Sequence, residues 1–284
     1  MKQTRAFFNR FSIGVTALWL LLFALLPNIG LLVVTVLTRG EQDFVLPQFT
    51  LDNYLRLLDP TFLKILWESL WLAFMSTLAC LLVGYPFAYY IARKPPEVAS
   101  RLIMLIMIPF WTNSLMRLNA WMLLFQANGP VNHALMALGL TPEPIKFIYT
   151  DWLVMLGLIT NMLPFAVLPM YASIEKLQKS MLEASADLGA KPSVTFLRVT
   201  LPLTFPGIFS AIILTFIPAL GIYTVTDMLG GGKVLYIGNI IKNQFGAIRN
   251  WPLGAALSVL LLAITALLIF VYMRFAKLED MEVV

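Results

Sequence analysis

Five polar or aromatic side chains lie within or at the ends of long apolar stretches of this sequence. Trp111, Asn113 and Arg117 fall in one stretch, and Tyr223 and Asp227 fall in another. Polar groups are costly in a membrane-length apolar run, so they point to the route of a solute. A carboxylate with aromatic faces suits a cation that also carries methylene groups, because charge pairing, cation–π contact and apolar burial act together. The chemistry predicted for these residues is therefore binding.

The spacing within each stretch predicts which side chains act together. Asn113 and Arg117 are four residues apart and share one helix face, which we expect to line the interior of a bundle. A rise of about 1.5 Å per residue places Asn113 near the middle of a membrane and Arg117 toward its outer leaflet. Tyr223 and Asp227 are also four apart, and a straight helix places Asp227 at the outer mouth. Pro218 favours a bend just before them.

Two roles stay open for the charged residues of these stretches. Asp227 is either a gate or binding group, or it has a structural role as a helix-end carboxylate or as a partner for Arg117. Arg117 repels a cationic solute unless Asp227 or a partner protein neutralises it. The predicted outer loops carry seven basic and seven acidic residues, so charge alone does not select a cationic solute.

A second group of residues lies in a polar segment between two apolar runs. The segment contains Glu183-Ala184-Ser185, then Gly189, and ends at Leu201-Pro202. Apolar residues recur at steps of three and four from Ile174 to Leu188, which predicts a helix with one apolar face. Gly189 suits the C-terminal cap of that helix. Periodicity alone is equally consistent with an amphipathic helix at a membrane surface and with one that docks into a partner.

The composition is that of a membrane protein. Of 284 residues, 60% are hydrophobic and 12% are charged, and the mean hydropathy is +0.82. Backbone groups in lipid must bond within the chain, so long apolar runs predict helices. We predict an all-α, six-helix integral membrane domain that forms a single transmembrane domain over residues 1–284, with a loop over 173–201. The predicted helices span residues 13–37, 66–91, 102–125, 152–171, 203–226 and 253–273.

The basic residues predict the orientation of these helices. The first run is too long for a signal peptide and lacks a small-residue cleavage site, so we expect it to remain as the first helix. Twelve Lys and Arg residues then fall on the side of the termini and seven on the other, which predicts cytoplasmic N- and C-termini and a cytoplasmic 173–201 loop. The pI near 9.3 reflects these loops and their contact with membrane lipid, and it does not indicate nucleic-acid binding.

The sequence offers no residues for catalysis or metal binding. Cys80 is the single cysteine and His133 the single histidine, so neither an internal disulfide nor a cysteine-rich metal site is possible. The glycine-rich stretch at 230–233 lacks the spacing of a phosphate-binding loop and is interpreted as a turn. We therefore predict no catalytic residue, no metal and no cofactor on this chain, which is not expected to be an enzyme.

The polar segment resembles the cytoplasmic docking loop of bacterial ABC importer permeases. That family's pattern is Glu-Ala-Ala, three residues, Gly, nine residues, Ile, one residue and Leu-Pro, and here Ser185 replaces Ala and Val199 replaces Ile. The resemblance implies a type I ABC importer transmembrane domain with a coupling helix. It also implies that ATP and Mg²⁺ bind to partner ATPase subunits. The residues implied in ATPase coupling are Glu183, Ala184, Ser185, Gly189, Leu201 and Pro202.

A more specific resemblance covers nearly the whole chain. The stretches at 109–114, 218–231 and 250–252 are similar to those of spermidine/putrescine permeases, and the Tyr223 to Asp227 arrangement favours the spermidine-preferring branch. Such permeases imply polyamine import across the bacterial inner membrane by alternating access. The implied partners are a second permease subunit (PotC-like), an ATPase dimer (PotA-like) and a periplasmic polyamine-binding protein (PotD-like).

Three alternatives stay open at this stage. One is an ABC permease for another small solute. The second is an ion-coupled secondary transporter, which should show paired interrupted helices and ion ligands at mid-membrane. The third is a structural membrane protein.

Overall fold

The computed structural model describes residues 2–40, 43–232 and 235–281. Helices dominate these residues, and the short strands Leu37–Thr38 and Leu46–Phe49 form a two-stranded antiparallel ribbon. The elements are α1 Lys2–Leu20, α2 Leu26–Thr35, β1 Leu37–Thr38, β2 Leu46–Phe49, α3 Asp52–Leu57, α4 Pro60–Ala92, α5 Pro96–Trp111, α6 Ser114–Phe125, α7 Pro130–Ala137, α8 Asp151–Glu175, α9 Lys179–Asp187, α10 Pro192–Thr195, α11 Leu201–Gly221, α12 Tyr223–Gly230, α13 Ile237–Phe245 and α14 Trp251–Met281.

The helices include the membrane-length segments that the hydropathy predicts. Five described segments are long and apolar enough to cross a membrane, and a bent pair, Pro96–Trp111 with Ser114–Ala137, supplies a sixth. The prediction of an all-α membrane fold is confirmed. The five unpaired segments are Phe11–Thr35, Pro60–Ala92, Asp151–Glu175, Pro192–Gly221 and Trp251–Val271.

Two of these segments contain a widened turn just before a proline. Leu21–Leu25 and Phe196–Thr200 form single π-helical turns, and Pro27 and Pro202 follow them. Proline has no amide hydrogen, and its ring crowds the carbonyl four residues earlier. A π-helical turn widens the helix at that carbonyl, so the chain continues as a helix through both prolines.

The chain groups into two compact units, where the sequence predicts one domain over 1–284. The first contains the described residues of Met1–Lys64 and Ile240–Ile264, and the second those of Ile65–Asn239 and Thr265–Val284. One reason lies in the first apolar helix, Phe11–Thr35, which buries none of its most apolar 18-residue window. Hydropathy predicts membrane residence and says nothing of which apolar surfaces pack together.

In the first unit, the short helix α3 is tied to the end of α2. The buried Asn53 amide donates hydrogen bonds to the carbonyls of Thr35 and Leu37, both at 2.9 Å. The hydroxyl groups of Tyr54 and Thr35 lie 2.7 Å apart. Because these bonds satisfy the carbonyl of the last α2 residue and that of the first β1 residue, they fix the position at which the chain leaves the helix.

In the second unit, α8 is the central helix. It contributes buried residues to two apolar clusters, one near its start and one near its end. The first cluster combines α8 with α4, α6 and α12, and the second combines it with α4 and α11. The buried α8 members are Leu153, Val154 and Leu158 in the first cluster and Met162, Ala166, Val167, Met170 and Ile174 in the second.

At Gly157, side chains of both α6 and α12 pack closely against α8. A Cβ atom there would collide with the Leu229 side chain and lie 3.0 Å from the Val225 side chain, both on α12. It would also lie 3.6 Å from the side chain of Leu118 on α6. A larger residue at this position would force the Leu229 side chain to shift and would crowd Val225, so glycine favours this three-helix contact.

We predict that Gly157→Ala destabilises the protein by about 1–3 kcal/mol, because the added methyl overpacks this contact. Gly30→Ala is the matched control, since Gly30 is also helical and has no atom within 4 Å of a built Cβ. The measurement is the apparent Tm of each purified variant in one detergent. Equal Tm values for the two variants would contradict the packing argument.

Candidate functional site

The third apolar run is not the single helix predicted over 102–125. α5 ends at Trp111, α6 begins at Ser114, and the pair bends by 87°. Thr112 and Asn113 are extended, with ψ angles of 147° and 131°. The Asn113 side chain accepts a hydrogen bond from the Leu115 amide at 2.8 Å and so caps the start of α6. The break therefore separates two helices, and the second of them has its own N-cap.

The break changes the positions of three predicted pathway residues. Trp111 is the last residue of α5 and is 74% exposed. Asn113 occupies the corner and Arg117 lies in the first turn of α6. Asn113 is the N-cap of α6 and its carbonyl accepts a hydrogen bond from the Arg117 amide at 3.2 Å, so these two residues lie one turn apart at the start of α6, while Trp111 belongs to α5.

Arg117 holds this corner together. Its Nη1 donates to the Pro109 carbonyl at 2.7 Å, and its Nη2 donates to Oδ1 of Asn161 on α8. The Thr112 hydroxyl also donates to the Pro109 carbonyl, at 2.6 Å. Arg117 thus supplies a partner to a carbonyl near the helix break and ties the bent pair to α8.

A cavity of about 440 Å³ lies between α5, α6 and α8, on the inner side of the bend. Pro109, Arg117, Trp121, Thr160 and Pro164 are among its lining residues. The lining is mainly apolar, and the Arg117 guanidinium is its single charged group. The cavity suits an apolar group or an anion better than a cation.

The fifth run, predicted as one helix over 203–226, is also broken. α11 ends at Gly221 and α12 begins at Tyr223, with Ile222 extended at ψ 98°. The backbone at Gly238 passes so close that a Cβ atom there would lie 2.8 Å from the Gly221 carbonyl oxygen. Pro218 and Gly221 favour a bend in the sequence, and the structure places the break one residue beyond Gly221.

Tyr223 and Asp227 lie one turn apart on α12. The Tyr223 side chain is 44% exposed, and Asp227 is half-buried. The Asp227 carboxylate accepts a hydrogen bond from the Asn239 amide at 3.0 Å. Within the described residues no ion pair joins Asp227 to Arg117, so the hypothesis that these two charges neutralise each other is not supported.

Asn239 is a positioning residue that the sequence analysis missed. It is 2% exposed, and its Oδ1 accepts a hydrogen bond from the Thr226 hydroxyl at 2.7 Å. The same oxygen lies 3.4 Å from the Tyr236 amide, which donates to it. Asn239 thus joins α12, with Asp227, to the start of α13. Its sequence signal is weak, because an asparagine in a short helix usually lies at the surface.

The predicted coupling residues lie on α9 and in the turns that follow it. Glu183, Ala184 and Ser185 are on α9, which has no buried residue. The hydroxyl groups of Ser185 and Thr195 lie 2.9 Å apart, which links α9 to α10. Gly189 has a φ of 76°, and its amide donates to the Ala186 carbonyl at 2.8 Å. This left-handed conformation ends α9 and turns the chain toward α10.

Leu201 and Pro202 begin α11, directly after the π-helical turn Phe196–Thr200. The predicted loop over 173–201 is therefore helical at both ends, because α8 continues to Glu175 and the π turn runs into α11. Between these ends, Leu188, the C-cap residue of α9, has 89% of its surface exposed. An apolar side chain this exposed beside a helix without buried residues marks a surface that lacks a partner in the isolated chain.

Residues 84–281 match the family described as the binding-protein-dependent transport system inner membrane component. The chain belongs to this family of transport permeases. It is 44% identical over 283 residues to the spermidine/putrescine transport system permease protein PotB of Salmonella typhimurium (strain SL1344), covering 100% of this chain and 98% of that protein. It is 46% identical over 265 residues to the protein of that name from Escherichia coli (strain K12), covering 93% and 96%.

The permease also shares its fold with a solved ABC importer. The crystal structure of a bacterial ABC transporter that imports the acidic polysaccharide alginate contains a chain with a TM-score of 0.79 and 16% sequence identity, covering 96% of both chains. Its architecture is that of an ABC importer permease, which agrees with the predicted fold. The family is a membrane component of a transport system, so this chain is a transport subunit and not an enzyme.

We predict that Asn239→Ala destabilises the permease by about 1–3 kcal/mol, because it leaves the buried Thr226 hydroxyl and the Asp227 carboxylate without their amide partner. Asn119→Ala is the matched control, since Asn119 is exposed and bonds to the Leu115 carbonyl of its own helix. Thermal unfolding of both variants in one detergent measures the difference. A control that loses as much stability as Asn239→Ala would contradict the positioning role.

Proposed function

We propose that this permease is a subunit of an ATP-driven importer that moves spermidine or putrescine from the periplasm to the cytoplasm by alternating access. The observation that carries the proposal is identity of 44–46% to spermidine/putrescine permeases over nearly the whole chain. Identity of this extent covers the apolar helices as well as the docking segment.

The chemistry of the second helix break supports a polyamine as the solute. A polyamine presents ammonium groups separated by methylene chains, so its binding needs carboxylates together with aromatic surface. Tyr223 and Asp227 offer this combination one turn apart on α12. Asn239 fixes the orientation of the carboxylate. We assign Asp227 to charge recognition and Tyr223 to cation–π contact, with Trp111 as a further aromatic contact at the end of α5.

The partners follow from this assignment. We propose a second, related permease, an ATPase dimer that binds ATP and Mg²⁺, and a periplasmic polyamine-binding protein. The termini and α9 face the cytoplasm in this arrangement, as the basic residues predict. ATP-driven closure of the ATPase dimer then moves α9 and, through α10 and the following π-helical turn, the helix α11.

The exposed surface of α9 supports its role as the docking element. Glu183 and Leu188 both face solvent there, so a partner groove would gain a charge contact and an apolar contact. Gly189 and the Ser185–Thr195 contact hold α9 and α10 in a fixed elbow. A fixed elbow transmits displacement better than a flexible linker.

Two other functions are weighed against this one. A permease for another small solute would keep the fold, since the alginate importer shares it at 16% identity. A secondary transporter is favoured by one observation, because two interrupted helices occur, at Thr112–Asn113 and at Ile222. The match to the binding-protein-dependent family favours ATP-driven transport over this alternative.

The decisive experiment is uptake of labelled spermidine into vesicles that contain this permease, a partner permease, the ATPase and the loaded binding protein. We expect ATP-dependent uptake that putrescine inhibits and neutral amino acids do not. ATP hydrolysis without polyamine uptake would overturn the solute assignment. Uptake by this permease alone would overturn the ATP-driven mechanism.

We predict that Asp227→Asn lowers spermidine uptake at subsaturating concentration by about tenfold, because an ion pair with an ammonium group is replaced by a neutral contact. Glu143→Gln is the control, since Glu143 is an exposed carboxylate in the loop before α8. The same vesicle assay measures both, with copurification of the partner subunits as the test of assembly. Unchanged kinetics in Asp227→Asn would assign this carboxylate a structural role.

We predict that Glu183→Lys reduces ATP-dependent uptake to the background of empty vesicles, because it reverses the charge at the proposed docking contact. Asp187→Lys introduces the same charge change one turn later on α9 and is expected to have the smaller effect. ATPase stimulation by the loaded binding protein is measured for each variant. Full stimulation in Glu183→Lys would contradict the coupling role.

A further inference from the structure

The cavity of about 440 Å³ beside Arg117 is built from matching faces of two helices. Its lining residues recur at steps of three and four on both α6 and α8, so each helix contributes one face. The α6 residues are Arg117, Ala120, Trp121 and Leu124, and the α8 residues include Thr160 and Pro164. The cavity is therefore set by helix packing and not by a loop.

The other polar side chains of the lining are already bonded within the chain. The Trp121 indole N–H donates to the Thr160 hydroxyl at 3.2 Å, and that hydroxyl donates to the Leu156 carbonyl at 3.0 Å. The first of these bonds also joins α6 to α8. Neither side chain therefore has an N–H or O–H group left for a ligand.

Arg117 has more donors than the chain provides acceptors. A guanidinium carries five N–H groups. Nη1 donates to the Pro109 carbonyl and Nη2 to Oδ1 of Asn161, whereas Nε is buried and has no hydrogen-bond partner among the described residues. Oδ1 of Asn161 also accepts from the Ser114 hydroxyl at 3.1 Å, so this acceptor is shared. The chain thus satisfies the guanidinium only in part.

The charge of Arg117 is also uncompensated by the chain. Both of its acceptors are neutral, and in the part of the chain that the structure describes no carboxylate forms an ion pair with Arg117. α6 and α8 belong to segments with the length and apolarity of membrane spans. A cation in such a segment is costly unless an anion pairs with it. We therefore expect the anion to come from outside this chain.

The lining narrows the chemistry of that anion. A guanidinium binds a carboxylate or a phosphate through paired N–H···O bonds. A small inorganic anion would pair with the charge but leave the apolar walls uncovered. A hydrocarbon would cover the walls but leave the charge unpaired, and a cation would be repelled. An alkyl chain with an anionic head group satisfies both parts of the cavity, whose volume is that of a small-molecule site.

We propose that this cavity binds an amphiphile with an anionic head group. Arg117 contacts the head group, and Trp121 and Leu124 contact the alkyl chain. A free fatty-acid carboxylate and the phosphate of an anionic phospholipid share this chemistry. Leu124 is 38% exposed and Ala120 is also exposed, so a lipid can enter from the surface of the permease. The inference does not depend on which solute the permease transports.

The first test compares ligands, so it requires no change in the protein. The full-length permease in a neutral detergent is titrated with dodecanoate that carries bromine on its terminal carbon, and quenching of tryptophan fluorescence reports binding. We expect saturable quenching, with about tenfold weaker binding of the matching bromododecanol, which has the same chain without the charge. Equal affinities of the carboxylate and the alcohol would overturn the proposal.

The Trp121→Phe variant identifies the tryptophan that reports binding. It should lose most of the saturable quenching, because Trp121 lines the cavity. Saturable quenching that persists unchanged in this variant would place the ligand elsewhere and contradict the proposal.

Two further variants test the site itself. Ala120→Phe fills the cavity from an exposed position and should weaken carboxylate binding about tenfold or more. Ala134→Phe is the matched control, since Ala134 is an exposed alanine on α7 outside the cavity. Arg117→Gln should weaken binding of the carboxylate but not that of the alcohol. Thermal unfolding is measured for each variant, and Ala120→Phe decides if Arg117→Gln does not fold, because Arg117 also holds the corner between α5 and α6.

Competition identifies the source of the amphiphile. Displacement of the bromododecanoate by short-chain phosphatidylglycerol would assign the site to a phospholipid phosphate. No displacement would assign it to a free alkyl carboxylate, and either result supports the proposal. Carboxylate binding that is unchanged in Ala120→Phe would overturn it. Loss of binding when the purified partner permease is added in lipid-free detergent would also overturn it, since a protein would then cover the cavity.

Discussion

A helix that breaks inside an apolar region must find new partners for the backbone groups it releases, and this constraint shapes the second unit of the permease. At the first break, the Pro109 carbonyl accepts hydrogen bonds from Arg117 and Thr112, and the Asn113 side chain caps the next helix. At the second, Gly238 allows the backbone of α13 to pass directly beside Gly221. Asn113 and Arg117, which the sequence analysis assigns to the solute pathway, thus form hydrogen bonds with the chain's own backbone.

Both broken helices pack against the same continuous helix, α8. α6 and α12, the two segments that restart, meet on α8 at Gly157, and Leu118, Val225 and Leu229 form one apolar cluster there. Binding groups placed at the two breaks therefore share a rigid support. α11 also packs on α8, through the second apolar cluster, so the helices on both sides of the second break are anchored to α8.

The sequence predicted the fold class and the membrane-length helices because hydropathy is a local property. The positions of the helix breaks were harder to predict, because a proline does not always break a helix. α4 continues through Pro86, and α8 continues through Pro164 and Pro169. What stabilises the corner at Asn113 is the bond from Arg117 to Asn161, which lies 44 residues away. The bonds from Asn239 to Thr226 and Asp227 likewise join two separate helices. No spacing within one apolar run reveals them.

The π-helical turn at Phe196–Thr200 has an angular consequence. One extra residue in a helical turn rotates everything before it by about 100° relative to everything after it. Tyr85 contacts both sides of the turn, since its ring lies 5.8 Å from that of Phe196 and its hydroxyl lies 2.8 Å from that of Thr204. The residues before the turn are therefore joined to α11 at a fixed rotation about the helix axis. In the proposed mechanism, a displacement of α9 would reach α11 through this rotated junction.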